Sequence, residues 1–310
     1  MNRLVASGVV ASAGLALAAC ATPVAPSATC RASAAPTTIA AGEARIQVRT
    51  VGEGAPVLMI PSLARGAGDF DALAAALATR GRMAILAEPR GIGGSTGPAP
   101  KTLGDLADDA AAVIAALCDG PVDVVGHAFG QRVTRMLAAR HPARVRQVVL
   151  LAAGGRVPMP ADVRADLIVS LSQGVEPDGR RRAALAHVFF ARGQNPDVWL
   201  DGWTPEAATA QGAATQATPI EDWWGGGDAP MLVVQASEDP IAPRANGEAL
   251  AAEFGARITL VALPHASHAM LPEQPDAVAA VVDSYFSGER DATALQSIVD
   301  RHIKTPDGRP

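Results

Sequence analysis

The chain carries little charge and no basic excess. Charged residues make up 18% of its 310 residues and the formal net charge is −5, so it lacks the clustered positive charge that nucleic-acid binding requires. After the first 20 residues, no apolar run is long enough to cross a bilayer as a helix. No His, Cys and carboxylate residues have the spacing of a metal site. We therefore expect no nucleic-acid partner, no metal and no other cofactor.

The first 20 residues have the composition of an export signal. Arg3 precedes an apolar run over residues 4–18, and small residues lead to Cys20. The segment Leu-Ala-Ala-Cys (17–20) resembles the bacterial lipobox. This resemblance implies cleavage before Cys20, a lipid on that cysteine and a membrane-anchored protein on the periplasmic side. No aspartate follows Cys20, which by analogy favours the outer membrane over the inner one. An ordinary signal peptide cut near Ala21 is the alternative.

Four regions are predicted along the chain: a lipoprotein signal peptide (1–19), a disordered tether (20–42), a folded domain (43–287) and a polar tail (288–310). The tether is rich in Ala, Pro, Ser and Thr and too poor in large apolar residues to fold. Hydrophobic residues make up 49% of the chain, which is enough for one large core. The sequence does not indicate an oligomeric state.

Two cysteines remain if Cys20 is lipidated. Cys30 and Cys118 would then lie in a compartment where disulfides persist, so a bridge between tether and domain is one possibility. The other is that Cys118, at the end of an apolar helix, is a small buried residue without a covalent partner.

Short apolar runs alternate with segments of helical periodicity along the domain. The predicted strands are 46–48, 56–60, 83–87, 121–125, 145–152, 231–235 and 258–262, and the predicted helices are 69–79, 102–118, 131–140, 244–254 and 275–286. This alternation predicts an α/β fold with a mostly parallel sheet and helices on both faces. The pattern breaks over residues 155–229, which contain all four tryptophans. We interpret this segment as an inserted helical cap.

Residues 126–130 read Gly-His-Ala-Phe-Gly and lie between a predicted strand and a predicted helix. They have the outline of a nucleophile elbow, Gly-x-Ser-x-Gly, with Ala128 where the serine would stand. Gly126 and Gly130 would let the strand and the helix pass closely around a strained turn. A methyl group has no lone pair with which to attack a carbonyl, so acyl-enzyme chemistry at Ala128 is excluded.

Residues 43–286 resemble the α/β-hydrolase superfamily, because further motifs follow the elbow in the order that this family uses. The family places a catalytic acid after the strand that follows the cap, and a histidine after the last strand. Asp239 and His268 occupy these positions. The resemblance implies that Asp239 orients His268, which acts as the base. The alternative is a turn aspartate and an ordinary loop histidine; Glu238 and His265 are neighbouring candidates in poorer register.

The resemblance also implies an oxyanion hole of two backbone N–H groups, those of Leu63 and Phe129. The family usually has His-Gly in the loop that contains the first of these, whereas this chain has Pro61 and Ser62. Ser62 is a weak candidate for a displaced nucleophile, because nothing near it in the sequence is built to aim it.

Three further residues match family positions that are structural in most members. Glu88 and Arg90 lie in a loop that resembles Asp-x-Arg-Gly-x-Gly-x-Ser, and we expect them to order that loop. His127 directly precedes the elbow residue, and we expect it to pack beneath the end of the sheet.

A histidine held by an aspartate and facing an oxyanion hole could activate water, or move a proton on a substrate, without a serine. The aromatic cap indicates a small apolar or aromatic ligand, with Trp223 and Trp224 as candidate contacts. The alternative is that they form the cap's core, which is favoured for Trp199 and Trp203. We therefore expect a serine-independent hydrolase or lyase-like enzyme acting on a small ester, lactone or carbonyl compound. A catalytically inactive ligand-binding protein of the same fold is the alternative.

Overall fold

The computed structural model describes residues 27–33 and 35–305. Within these residues, eight strands form one sheet in the order β1-β2-β4-β3-β5-β6-β7-β8. The strands are β1 (Thr37–Ala41), β2 (Ala44–Val51), β3 (Ala55–Ile60), β4 (Arg82–Ala87), β5 (Val122–His127), β6 (Val145–Leu151), β7 (Met231–Ala236) and β8 (Ile258–Leu263). The pairs β1–β2 and β2–β4 are antiparallel and the other pairs are parallel. The predicted α/β fold with a mostly parallel sheet is confirmed.

The α-helices of this described region pack mainly on the sheet and in the cap. They are α1 (Asp71–Ala78), α2 (Leu103–Leu117), α3 (Phe129–Arg140), α4 (Ala161–Leu171), α5 (Asp178–Val188), α6 (Pro205–Gln216), α7 (Ala245–Phe254), α8 (Met270–Glu273), α9 (Pro275–Phe286) and α10 (Ala292–His302). Each predicted helix has a counterpart whose bounds differ by a few residues.

Alternate residues of the central strands are buried on opposite faces of the sheet. In β3, Leu58 and Ile60 belong to a core that includes α2 and α3, whereas Val57 and Met59 belong to a core that includes α1 and α9. Because both faces are covered, these strands have almost continuous apolar sequences. Parallel strands also bring their carboxyl ends to one edge of the sheet, which is where such folds form their clefts.

The folded body begins earlier than the predicted boundary at residue 43. β1 pairs with β2, and Cys30 forms a disulfide with Cys118 at the end of α2. Backbone contacts support the bridge, since the Arg31 N–H donates to Leu117 O across 2.9 Å. The prediction of disorder is therefore corrected for the described residues between 27 and 42. Residues 1–26, with the predicted signal peptide and Cys20, lie outside the described residues.

The predicted polar tail also contains ordered structure. α10 buries Leu295 and Val299 completely. Gln296 forms two hydrogen bonds with the backbone of Ala262 in the edge strand β8, at 2.9 and 3.0 Å. The helix therefore covers an edge that would otherwise expose unpaired backbone groups. The predicted polar tail is therefore packed against the domain as far as residue 305.

The segment between β6 and β7 forms the cap. It contains α4, α5 and α6, and its own apolar cluster includes Leu185, Phe189, Trp199 and Trp203. Ala64 of the loop after β3 belongs to the same cluster, so the cap packs directly over the carboxyl edge of the sheet. In the described part of the chain, no helix combines the length and the apolar character that a membrane span needs.

Candidate active site

Ala128 lies in the turn between β5 and α3 with φ 51° and ψ −113°. This backbone conformation is unfavourable for every residue other than glycine, and it persists only where the surrounding structure enforces it. The Ala128 N–H donates to Leu151 O of the neighbouring strand β6 across 2.9 Å. The sequence thus places an alanine in a strained strand-to-helix turn of the kind expected for a nucleophile elbow.

The two glycines that flank this turn are required by close backbone contacts. A Cβ at Gly130 would lie 2.1 Å from Ile60 O, and a Cβ at Gly126 would lie 2.6 Å from Gly130 O. Both of these oxygens belong to the backbone, so a larger residue at either position would displace β3, β5 or α3. The glycines therefore allow the close approach that their positions in the sequence predict.

Asp239 and His268 meet at the same edge of the sheet, after β7 and β8 respectively. The His268 Nδ1 lies 2.8 Å from Asp239 Oδ2. The other carboxylate oxygen of Asp239 accepts the N–H groups of Ile241 and Ala242 at 2.9 and 2.8 Å. These bonds fix the carboxylate, which in turn fixes the imidazole and leaves Nε2 as the nitrogen that can exchange a proton with a ligand.

The neighbouring candidates lie elsewhere. Glu238 Oε2 accepts the Arg192 N–H at 3.2 Å, and His265 is exposed with φ 51°. Of these acidic and histidine candidates, the structure brings Asp239 and His268 together.

His127 is completely buried beneath this pair. Its Nε2 lies 2.8 Å from His268 O, which makes Nε2 the protonated nitrogen, and its Nδ1 has no partner among the described residues. Burial lowers the pKa of His127 to about 3, with a smaller contribution from His268. His127 is therefore neutral near pH 7 and supports the His268 backbone rather than reaching the cavity.

Glu273 holds the His268 loop from the other side. Its two carboxyl oxygens accept the N–H groups of Ser267 at 2.7 Å and Ala191 at 2.6 Å. Burial raises the pKa of Glu273 to about 7, although both hydrogen bonds oppose the shift. Because Ala191 belongs to the cap, this side chain connects the cap to the loop that carries His268.

A cavity of about 400 Å³ lies between the sheet edge and the cap. Ala128 and His268 both line it, as do Leu63, Phe129 and the buried Ser62. No hydrogen bond joins the N–H of Leu63 or Phe129 to another residue of the described ranges, so both groups can donate to a ligand. The remaining wall is mostly apolar: Val157, Met159, Leu167, Leu171, Phe189, Trp203 and Ile241.

The loop residues Glu88 and Arg90 make structural contacts outside this cavity. Glu88 Oε2 accepts the Ala67 N–H at 2.9 Å, and Arg90 forms a bidentate ion pair with Asp109, whose Nη2–Oδ1 distance is 2.8 Å. Among the residues that the structure describes, no group of three or more His, Cys, Asp or Glu side chains could hold a metal ion.

A model of the alpha/beta hydrolase family matches residues 57–281, which is more than half of the chain. The chain belongs to the alpha/beta hydrolase family. The match covers β3 through most of α9, including Ala128, Asp239 and His268.

Relatives of this hydrolase-family chain include a pimeloyl-(acyl-carrier protein) methyl ester esterase from Neisseria meningitidis. It is 28% identical over 222 residues, which cover 65% of this chain and 70% of the relative. The structure of an esterase from Exiguobacterium antarcticum matches with a TM-score of 0.68 and 19% identity, covering 81% of this chain and 99% of the other. A meta-cleavage product hydrolase from Pseudomonas fluorescens, solved as a serine-to-alanine mutant, gives 0.67 and 19%, covering 81% and 97%. These structural likenesses show the fold.

The tryptophans of this family member are arranged differently from the prediction. Trp223 and Trp224 do not line the cavity; both are buried in the core that contains α2 and α3. The Trp224 ring fills the space beside Gly155, where an added Cβ would lie 2.3 Å from it. Trp203, for which a core position was favoured, does line the cavity. The expectation that Trp223 and Trp224 contact the substrate is therefore corrected.

Two charged residues that line the cavity, Arg132 and Arg164, are absent from the sequence-based predictions. A signal for the first of them exists in the sequence. α3 contains three arginines and no acidic residue, and Arg132 lies in its first turn, close in sequence to Ala128.

Proposed function

We propose that the protein is an exported, lipid-anchored enzyme, a hydrolase or lyase-like catalyst, in which His268 and Asp239 act without a serine nucleophile. The 2.8 Å contact between His268 and Asp239, beside the cavity that Ala128 lines, carries this proposal. Ala128 would occupy the position that the attacking serine holds in other members of the family.

In the hydrolytic form of this proposal, water replaces the serine. His268 Nε2 takes a proton from water as the water oxygen bonds to the substrate's carbonyl carbon. The N–H groups of Leu63 and Phe129 stabilise the negative charge on the carbonyl oxygen. When the intermediate collapses, the bond to the alcohol oxygen breaks and His268 returns the proton to that oxygen. Asp239 stabilises the imidazolium between the two transfers.

The cavity wall and the relatives support the proposed substrate class. A cavity of about 400 Å³ with mostly apolar walls accommodates a small apolar or aromatic molecule. Several relatives are named as esterases, which supports an ester as the reacting group. A lactone contains the same bond within a ring.

The test compares turnover of small esters, lactones and amides by the wild type, His268→Ala and Asp239→Asn. We expect hydrolysis by the wild type, its loss in His268→Ala, and a large loss in Asp239→Asn because the imidazole is then held in the wrong tautomer. His265→Ala is the matched control, since His265 is exposed and three residues away. Equal turnover by the wild type and His268→Ala would remove His268 from the mechanism. Ligand binding without turnover by any of these proteins would instead support a catalytically inactive binding protein.

A further inference from the structure

The permanently charged residues that line the cavity are all basic. Of the residues that line it, Arg132 and Arg164 carry permanent positive charge, and no aspartate or glutamate is among them. Arg164 is exposed on α4 of the cap, whereas Arg132 is half-buried on α3. The cavity therefore combines apolar walls with positive charge that no acidic lining residue compensates.

The side chain of Arg132 has no protein counterion. Within the described ranges it forms no ion pair and no hydrogen bond, and its guanidinium carbon lies 5.5 Å from the centre of the Trp223 ring. Burial lowers the pKa of Arg132, and no acidic group counters this effect. Charges removed from water are normally paired, so a half-buried guanidinium that lines a cavity without a counterion is an unusual arrangement.

A second arginine lies behind the first. Arg135 is fully buried and donates to Gly154 O at 2.6 Å and Trp224 O at 3.2 Å. Its guanidinium carbon lies 4.6 Å from the centre of the Trp223 ring. No carboxylate of the described chain pairs with it, and burial together with the charge of Arg132 lowers the pKa of Arg135. An anion beside Arg132 would thus reduce the unfavourable electrostatic energy of both arginines.

We propose that Arg132, assisted by Arg164, binds a carboxylate of the ligand. If the proposed function is correct, the substrate is then an ester or lactone that carries a second, acidic group. A guanidinium matches a carboxylate through two parallel hydrogen bonds, and this pairing is strong where water is excluded. Arg132 and Ala128 line the same cavity, so an acidic group bound by Arg132 would lie in the cavity that also holds the reacting carbonyl. The apolar wall would contact the carbon skeleton between the two groups.

The test uses two ligands of closely similar shape, of which only the first is charged at neutral pH: monomethyl terephthalate and the corresponding primary amide. Calorimetry at neutral pH measures the dissociation constants in the His268→Ala background, in which we expect no turnover. We expect the acid to bind about 10- to 100-fold more tightly than the amide, in line with the usual strength of hydrogen bonds to charged groups. Arg132→Gln should abolish this preference and Arg132→Lys should keep part of it. Arg182→Gln, an exposed arginine on the cap paired with Asp197, should leave the preference unchanged.

Two results would overturn the proposal. One is equal affinity of His268→Ala for the acid and the amide, and the other is a preference for the acid that survives when Arg132→Gln is added to this variant and the protein still folds. A phenyl phosphate that binds more tightly than the carboxylate, again through Arg132, would overturn the choice of anion. Because binding is measured without turnover, an acid preference in a protein that hydrolyses nothing would refute the proposed enzyme and leave the carboxylate site standing.

Discussion

The backbone N–H of Ser267 donates to Glu273 across 2.7 Å, directly before His268. The same carboxyl group accepts the N–H of Ala191 in the cap. The buried Glu273 side chain thus fixes the loop that carries His268 and joins this loop to the cap. The protonation state of Glu273 should therefore affect the stability of the loop and of the cap.

We expect Glu273 to make the protein less stable as pH rises from about 4.5 to about 7. Burial raises the pKa of Glu273 to about 7 in the folded state, from 4.5. Between these values the folded state holds a proton that the unfolded state has lost, so the free energy of unfolding falls with rising pH. The full difference is on the order of 3 kcal/mol. The measurement is the urea midpoint across this pH range for the wild type and Glu273→Gln. The stability of the wild type relative to the variant should fall with rising pH; this comparison cancels the opposite effect of His127, whose pKa is lowered.

Glu238→Gln is the matched control for this experiment, because Glu238 lies in the same region and accepts the Arg192 N–H. Its pH profile should follow that of the wild type. Parallel profiles for the wild type and Glu273→Gln would show that Glu273 does not titrate in this range.

Introducing the missing hydroxyl, Ala128→Ser, should create a nucleophile. The backbone at Ala128 already has φ 51°, so serine adds one oxygen beside the cavity at a cost of roughly 1 kcal/mol or less. We expect a fluorophosphonate to label the variant and not the wild type, and an activated short-chain ester to give a burst. Intact-protein mass spectrometry measures the adduct.

The double variant Ala128→Ser with His268→Ala should label far more slowly, because the serine then lacks its base. Labelling of the wild type at Ser62 or another serine would place the nucleophile elsewhere. A folded Ala128→Ser protein without any adduct would favour the ligand-binding alternative.

Loss of the Cys30–Cys118 bridge should destabilise the protein by about 4 kcal/mol, because the two cysteines are 88 residues apart and the bridge restricts the unfolded chain. Urea unfolding of the Cys30→Ser and Cys118→Ser double variant measures this cost. Treating the wild type with a reductant should reproduce it. A double variant as stable as the oxidised wild type would contradict the prediction.

Seven of the eight strands and five of the helices could be predicted from the sequence, because they are apolar or periodic and bounded by turn residues. β1 and α10 lie in segments of polar or small residues, and their order depends on packing against the domain. Asp239 and His268 could be placed because their loops follow recognisable strands. The roles of the tryptophans could not be predicted, since an aromatic residue has the same local sequence pattern in a core and at a cavity wall. Arg132 was missed for a related reason: the absence of a counterion depends on which acidic residues the fold brings near, and sequence distance does not reveal that.

Cys20→Ser should release the protein from the membrane of a bacterial host. The motivation is the Leu-Ala-Ala-Cys segment, in which the cysteine is the expected lipid acceptor. Fractionation of cells expressing the wild type and the variant measures the change, with Ser27→Ala as a control that keeps both the lipid acceptor and the disulfide. If wild type and Cys20→Ser both remain in the soluble fraction, the anchor proposal is wrong.

The bridge between Cys30 and α2 also limits how far the folded body can lie from the membrane. If a lipid is attached at Cys20, roughly ten residues separate the membrane surface from the first residue that is covalently tied to the body, and ten extended residues span at most about 35 Å. That is shorter than the diameter expected for a domain of this size. The protein would therefore remain in the layer of solvent next to the bilayer. There it would meet ligands that leave or approach the membrane more often than ligands in bulk solvent.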